Sequence, residues 1–252
     1  MSLSSALNIA LSGLRTTNAS IDLAARNIAN ANTPGYTRKI QLPVAQLSGG
    51  ISTGVVLGDI RRDVDVFLQQ QLRTEVAIGA QVDVRAQFLS RIDAMFGRPG
   101  EANALDTILS GFNDALQGLT TTPDAFSARD SAVTQAATLA NQLNRLSNDI
   151  QSMRQETEIS LGNAVDEANL ALQQIAQLNT EINARFDDQL GYADLADRRD
   201  QAIDQLAQLM DVRVIEGDRG TVKVFTTGGN LLVDNDAVTL QFDERSTIDA
   251  SS

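Results

Sequence analysis

Cysteine, histidine and tryptophan are all absent from the 252 residues. Without cysteine there are no disulfides, thiolate nucleophiles or thiolate metal sites, and without histidine no Ser-His-Asp triad and no imidazole ligand. Acid–base chemistry centred near neutral pH loses its usual side chain as well. Lysine occurs only as Lys39 and Lys223, and aromatic residues make up 4% of the chain. The interior must therefore come from Leu, Ile, Val and Ala. The net charge of −12 repels phosphate backbones, which excludes general nucleic-acid binding. No apolar run approaches the ~18 residues that span a bilayer. The start lacks the charged opening and greasy centre of a secretory signal, because Ser4, Ser5, Asn8 and Ser12 interrupt it. These gaps favour a mainly helical structural or interaction protein over an enzyme, with no catalytic, cofactor-binding or metal residues to nominate.

What is present begins with an amphipathic helix. Residues 1–40 hold Arg15, Arg26, Arg38 and Lys39 against Asp22, a net +3, so the other 212 residues carry −15. A transit peptide can share this Arg-bearing, acid-poor character, but the apolar spacing is too regular for a disposable address. Leu3, Leu7, Ala10, Leu14, Thr17, Ile21, Ala24, Ile28 and Ala31 follow alternating steps of four and three. Such a heptad specifies a seam against another helix. The bland alternative is a helix packed on its own core. The loop that follows runs away from the helix and offers it no local partner, so the seam (Leu3, Leu7, Ala10, Leu14, Ile21, Ala24, Ile28) reads as an assembly surface.

The helix exits through Asn30-Ala31-Asn32-Thr33-Pro34-Gly35-Tyr36-Thr37-Arg38. Pro34 and Gly35 suit the two central positions of a type II turn, proline fixing φ and glycine accepting positive φ. Thr33, preceding proline, is pushed out of the helical region. The chain should reverse and emerge extended with Tyr36 displayed. The stretch from Asn27 to Arg38 resembles the N-terminal signature of the bacterial flagellar axial proteins, that is, the rod, hook and hook-associated proteins. Asn30, Asn32, Thr33, Pro34, Gly35, Tyr36 and Arg38 carry that likeness.

Further along, Pro43, Gly49-Gly50, Gly54, Val55-Val56 and Ile60 read as loop and strand. A helix opens at Asp63 and Asp65 and stops at Gly97-Arg98-Pro99-Gly100, and a third covers about 105–119. From Ser127 to Arg185 there is no proline and only Gly162, and the seam runs from Leu139 through Leu146, Met153, Leu161, Ala168, Leu172 and Ile175 to Ile182, with a stutter at Thr157. Either this helix breaks near Gly162 or it extends as a rod, which is the favoured reading. Asp194–Gln201 begins another helix ending near Met210. Its carboxylates read as a solvated face, with Asp194 capping the helix and pairing with Arg198. The period then changes to two, with strands at 212–216, 221–226, 231–233 and 238–242 forming an antiparallel meander.

This order of elements resembles the hook-associated branch of the axial proteins. The match rests on the N-terminal signature, Gly54–Arg73, Met95–Gly100, and Asp194–Gln201 followed by strands. The expected fold is mainly α, an elongated helical bundle or coiled-coil rod with an N-terminal amphipathic helix, a short extended β/loop segment and a small β meander. The segments are 1–62 (axial segment with its turn), 63–211 (helical rod), 212–242 (meander) and 243–252 (acidic tail or truncation point). The resemblance implies a non-enzymatic subunit of the hook–filament junction, secreted to the extracellular flagellum. Its partners would be further copies of itself in an axial assembly, neighbouring hook and hook-associated proteins and an export chaperone, with no cofactor. The branch also has an outer domain and a C-terminal helix, which this chain does not supply, so an N-terminal fragment is expected. A secreted coiled-coil effector or adhesin, and a carboxylate-dependent wall hydrolase, are the competing readings.

Overall fold

The computed structural model describes residues 3–48 and 51–245. Gly49-Gly50 of the expected loop-and-strand stretch, Met1-Ser2 and residues 246–252 of the acidic tail lie outside them. In chain order the elements are α1 (Leu3–Ala29), β1 (Lys39–Ser48), β2 (Ile51–Arg62), α2 (Val66–Phe96), α3 (Leu105–Thr121), α4 (Phe126–Ala184), α5 (Gln189–Leu209), β3 (Val212–Glu216), β4 (Val222–Thr226) and β5 (Leu231–Val233). The fold is mainly α, with one antiparallel strand pair and one three-stranded antiparallel sheet. Among the described residues no helix is long and apolar enough to cross a membrane. Packing divides the chain into one unit of Met1–Ile78 with Asp166–Leu240 and a second of Gly79–Val165 with Gln241–Ser252.

In the first unit, the end of α4 and α5 pack on the sheet β3-β4-β5. Leu172, Ile175, Ile203, Leu206, Val212, Val224 and Val233 form its centre. Small residues (Ala168, Ala171, Ala202 and Ala207) let the two helices approach closely. Buried amides replace missing ladder partners. Asn179 donates Nδ2 to the Val222 carbonyl at 2.7 Å and accepts the Val222 N–H at 3.1 Å. On the outer edge of β3, the Gln70 amide of α2 donates to the Val212 carbonyl at 3.0 Å and accepts the Val214 N–H at 3.4 Å. Backbone groups that would otherwise be buried unpaired are thereby satisfied.

Three details depart from the sequence reading. The segment after α1 does not run away from it but folds into the β1-β2 hairpin, which packs back on α1. Its β2 edge is sealed by α1 hydroxyls, since Ser12 Oγ accepts the Val55 N–H at 3.1 Å and Thr16 Oγ1 donates to the Val55 carbonyl. Gly54, at φ 158°, is required there because a Cβ would meet Ser12 Oγ. Helix α5 starts five residues before Asp194, with the Asp188 side chain accepting the Gly191 N–H, so Asp194 is not the cap. The expected strand at 238–242 does not form. Asn169 takes both backbone groups of Leu240, at 2.8 and 3.0 Å, in place of a neighbouring strand.

In the second unit, α3 and the first part of α4 bury Ile108, Ala132, Leu146 and Met153. Arg91 of α2 reaches Glu156 of α4 at 2.6 Å. Helix α4 itself continues without interruption through Gly162, so the break considered there is not taken.

Candidate assembly site

Helix α1 carries two stripes on opposite sides. One, formed by Ser12, Thr16, Ser20, Leu23 and Asn27, faces its own chain; Thr16 and Leu23 are the buried members of the helix. The other is the seam of Leu3, Leu7, Ala10, Leu14, Ile21, Ala24 and Ile28, and every one of these is exposed. Leu3 is 90% exposed, Leu14 59% and Ile28 77%. A row of leucines and isoleucines along one helix face is thus left in water, a contiguous apolar strip with no partner among the described residues. Near its end the seam opens into a cavity of about 370 Å³ lined by Asn27, Ile28, Ala31, Tyr36 and Arg38.

The turn closes as its chemistry requires. The Tyr36 N–H donates to the Thr33 carbonyl at 3.1 Å, and Gly35 has φ 74°. Upstream, the Thr33 N–H donates to the Asn30 carbonyl at 2.9 Å, and the Asn30 side chain donates to the Arg26 carbonyl. Asn32 and Pro34 are exposed, and Arg38 lies 3.9 Å from Asp63 at the surface. Tyr36 is not displayed as expected. It folds back so that its hydroxyl donates to Asn27 Oδ1 at 2.8 Å and its ring covers Lys39 Nζ, 3.8 Å from the ring centre. Asn27 also bonds both backbone groups of Lys39, at 2.8 and 3.0 Å. A strand neighbour would make the same two bonds.

Beneath the turn lies a buried ion cluster contributed by α5. Lys39, 2% exposed, places its ammonium 2.8 Å from Asp194 and 2.9 Å from Asp197. Asp197 accepts in addition from Thr37 N–H, Thr37 Oγ1 and Arg62 Nη1. Arg62 continues to Asp200 at 2.6 Å, and Arg73 of α2 pairs with Asp204 at 2.7 Å. Gln201 donates to the Pro34 carbonyl at 2.7 Å and fills the space that a side chain at position 35 would need. Burial, the largest single influence on Lys39, opposes its charge. Hydrogen bonds to Asp194 and Asp197, followed by their fields, outweigh it and hold the pKa above the ordinary lysine value. Arg62 behaves the same way: burial is opposed and exceeded by Asp200 and Asp197.

The Asp194–Gln201 segment is therefore no solvated face. Asp197 and Asp200 are buried, and Asp194 gives its oxygen to Lys39. The signal for this was present: Asp194, Asp197, Asp200 and Asp204 recur at steps of three, three and four, which places them on one helix face. An acidic stripe beside an apolar one calls for cations from elsewhere in the chain. Chemically the cluster is a clasp. Each carboxylate is turned toward a guanidinium or ammonium group, and the whole fastens turn, hairpin and α2 to α5.

Comparison with known proteins identifies the family. The family described as "Flagellar hook-associated protein FlgK helical domain" matches residues 89–251, and "Flagella basal body rod protein" matches residues 7–37, which cover most of α1 and its turn. Flagellar hook-associated protein 1 of Escherichia coli K12 is 29% identical over 238 residues, 92% of this chain and 43% of that protein. Its Bacillus subtilis 168 counterpart is 25% identical, covering 90% of this chain and 47% of its own. The solved structure of the flagellar hook junction protein FlgK from Burkholderia pseudomallei superposes with a TM-score of 0.59 at 29% identity, over 66% of this chain and 29% of that one. The chain thus spans less than half the length of the curated relatives it matches.

Proposed function

Because this chain belongs to the FlgK family of flagellar hook-associated proteins, we propose that it is a structural, non-catalytic subunit of the hook–filament junction, working in the extracellular part of the flagellum. One observation carries the reading. Helix α1 satisfies its polar face within its own chain and leaves the full heptad seam, from Leu3 to Ile28, in solvent. At ~1.5 Å per residue the 27-residue helix offers a strip roughly 40 Å long for lateral packing. Packed against copies of itself and against neighbouring hook and hook-associated subunits, that strip would be buried as a coiled-coil seam is. The clasp fixes the direction in which the helix leaves the rest of its unit, and residues 1–62 serve as the axial segment. Before assembly an export chaperone would accompany the subunit. The adhesin or effector reading uses the helices but gives no role to a turn held so firmly from α5.

The test is to replace Leu7, Leu14 and Ile21 together by serine. These side chains are exposed, so the variant should fold and be secreted, yet fail to lodge at the hook tip, giving hooks without filaments under electron microscopy. Normal filaments on that variant would overturn the proposal.

A further inference from the structure

The exposed seam of α1 is built from two lines of different size. Leu7, Leu14, Ile21 and Ile28 form one line, while Leu3 is followed by Ala10, Thr17 and Ala24 on the other. The five large side chains are 59–90% exposed, and Ala10, Thr17 and Ala24 are exposed with them. The positions flanking the seam are Ser4, Leu11, Asn18 and Ala25 on one side and Ala6, Gly13, Ser20 and Asn27 on the other. None carries a charge, although these are the places where coiled coils put the ions that choose partner and direction. Gly13 adds an independent sign. Glycine inside a helix is less favourable than alanine, yet a Cβ at position 13 would meet nothing within 4 Å. Its own chain does not require it, so the space it leaves is open to something else.

We infer that two free copies of this chain close their seams on each other, α1 against α1 in antiparallel orientation. Let the two helices run in opposite directions with Leu3 level with Ile28 of the second copy. Leu7 then meets Ala24, Ala10 meets Ile21 and Leu14 meets Thr17, and two-fold symmetry repeats each contact. Every seam residue of the helix is used, large against small throughout the interior, with Leu3 on Ile28 closing each end. A parallel pair in register would instead set Leu7 on Leu7 and Ala10 on Ala10. That holds the helices apart at one level and leaves a void at the next. The uncharged flanks let an identical helix approach, so alternation of size rather than charge sets its direction. Gly13 stands beside the Leu14–Thr17 contacts at the middle of the pair, where a missing side chain lets the helices come close. The stripe that holds the hairpin lies on the other side of α1 and stays in place. A two-fold pair is closed and does not propagate. It rests on the same strip as the proposed function, as the form in which free copies keep that strip out of water until assembly separates them.

Because the chain has no cysteine, introduced thiols report this geometry directly. Leu7→Cys and Ala24→Cys are made as separate single variants and oxidised alone and mixed. In the antiparallel pair Leu7 lies beside Ala24 of the second copy, whereas the two copies of residue 7 are roughly 25 Å apart. A disulfide tolerates a Cα separation of only about 7 Å. The expected result is a disulfide dimer in the mixture and almost none in either variant alone. Sedimentation equilibrium of the unsubstituted chain should show a dimer that dissociates on dilution. Gly13→Leu, which fills the gap at the middle, should weaken that dimer about tenfold with circular dichroism unchanged. A monomer at every concentration, single variants that link to themselves, or a dimer without the mixed link overturns the pair. A monomeric chain whose subunits still reach the junction removes the pair and leaves the proposed function standing. Normal filaments on the triple serine variant remove that function, while the mixed link still supports the pair.

Discussion

Helix α1 and the last third of α4 carry the same pattern of apolar residues and meet opposite fates. On α4, Leu172, Ile175 and Ile182 are fully buried against α5, and the first two also against the sheet. On α1, Leu7, Leu14, Ile21 and Ile28 stand in solvent at the same heptad spacing. Helix propensity does not separate the two. The difference is what the chain supplies nearby: α5 follows α4 within a few residues and brings Ala202, Ile203 and Leu206 to it, whereas the hairpin after α1 presents backbone edges, which attract hydroxyls and an amide rather than leucines. A heptad states that a helix wants a partner; composition downstream decides whether that partner belongs to the same molecule.

The sharpest way to break the comparison is at the clasp. Lys39→Met leaves Asp197 buried without its ammonium and should cost about 3–5 kcal/mol, read as a lower urea midpoint, with hydrogen exchange rising first in α1 and the hairpin. If exchange rises equally in α4 and α5, the clasp is not specific to the N-terminal segment. Next, Leu172→Ala should cost about 2–5 kcal/mol, while Leu14→Ala should stay within ~0.5 kcal/mol in the dilute protein and still impair filament attachment. Equal losses would mean that the two seams are equally buried. Gly35→Val forces a β-branched residue to φ 74° and into the Gln201 side chain, a strain of about 1–3 kcal/mol. Its expected signature is failed junction assembly with the α4–α5 core intact by circular dichroism.

The smallest effect concerns pH. The Lys39 pKa is raised in the folded state, so its contribution is whole below the unfolded value of 10.5 and is lost as pH climbs through the folded value. Thermal melts should therefore fall above about pH 10.5, and fall less in Lys39→Arg, which keeps its charge. Identical alkaline curves would remove Lys39 from that account.

Much of this was legible from periodicity. The extents of α1, α2, α3 and α4, the Pro34-Gly35 turn, the exposed seam and three of the four expected strands follow from spacing and breakers. The rest depended on residues distant in sequence. Tyr36 reads as displayed until Asn27 and Lys39 are known to flank it. Asp197 reads as solvated until Thr37, Lys39 and Arg62 arrive from some 135 to 160 positions away. Val238–Phe242 has strand composition, but Asn169 of α4 took its backbone first. Local pattern reports what a segment can do; the competing bond that decides the outcome comes from elsewhere.

The turn at Pro34 is held by Gln201, 167 positions downstream, and Thr37 by Asp197, 160 downstream. Loops of that size close slowly and at an entropic cost that grows with their length. A polypeptide that emerges amino end first therefore carries this exposed apolar helix for most of its length before anything can aim it. Only a molecule whose far portion has arrived and folded can point that helix in a fixed direction, so under the proposed assembly incomplete copies would be poorly equipped to join. Arrival of α5 sets the moment at which α1 gains a fixed direction.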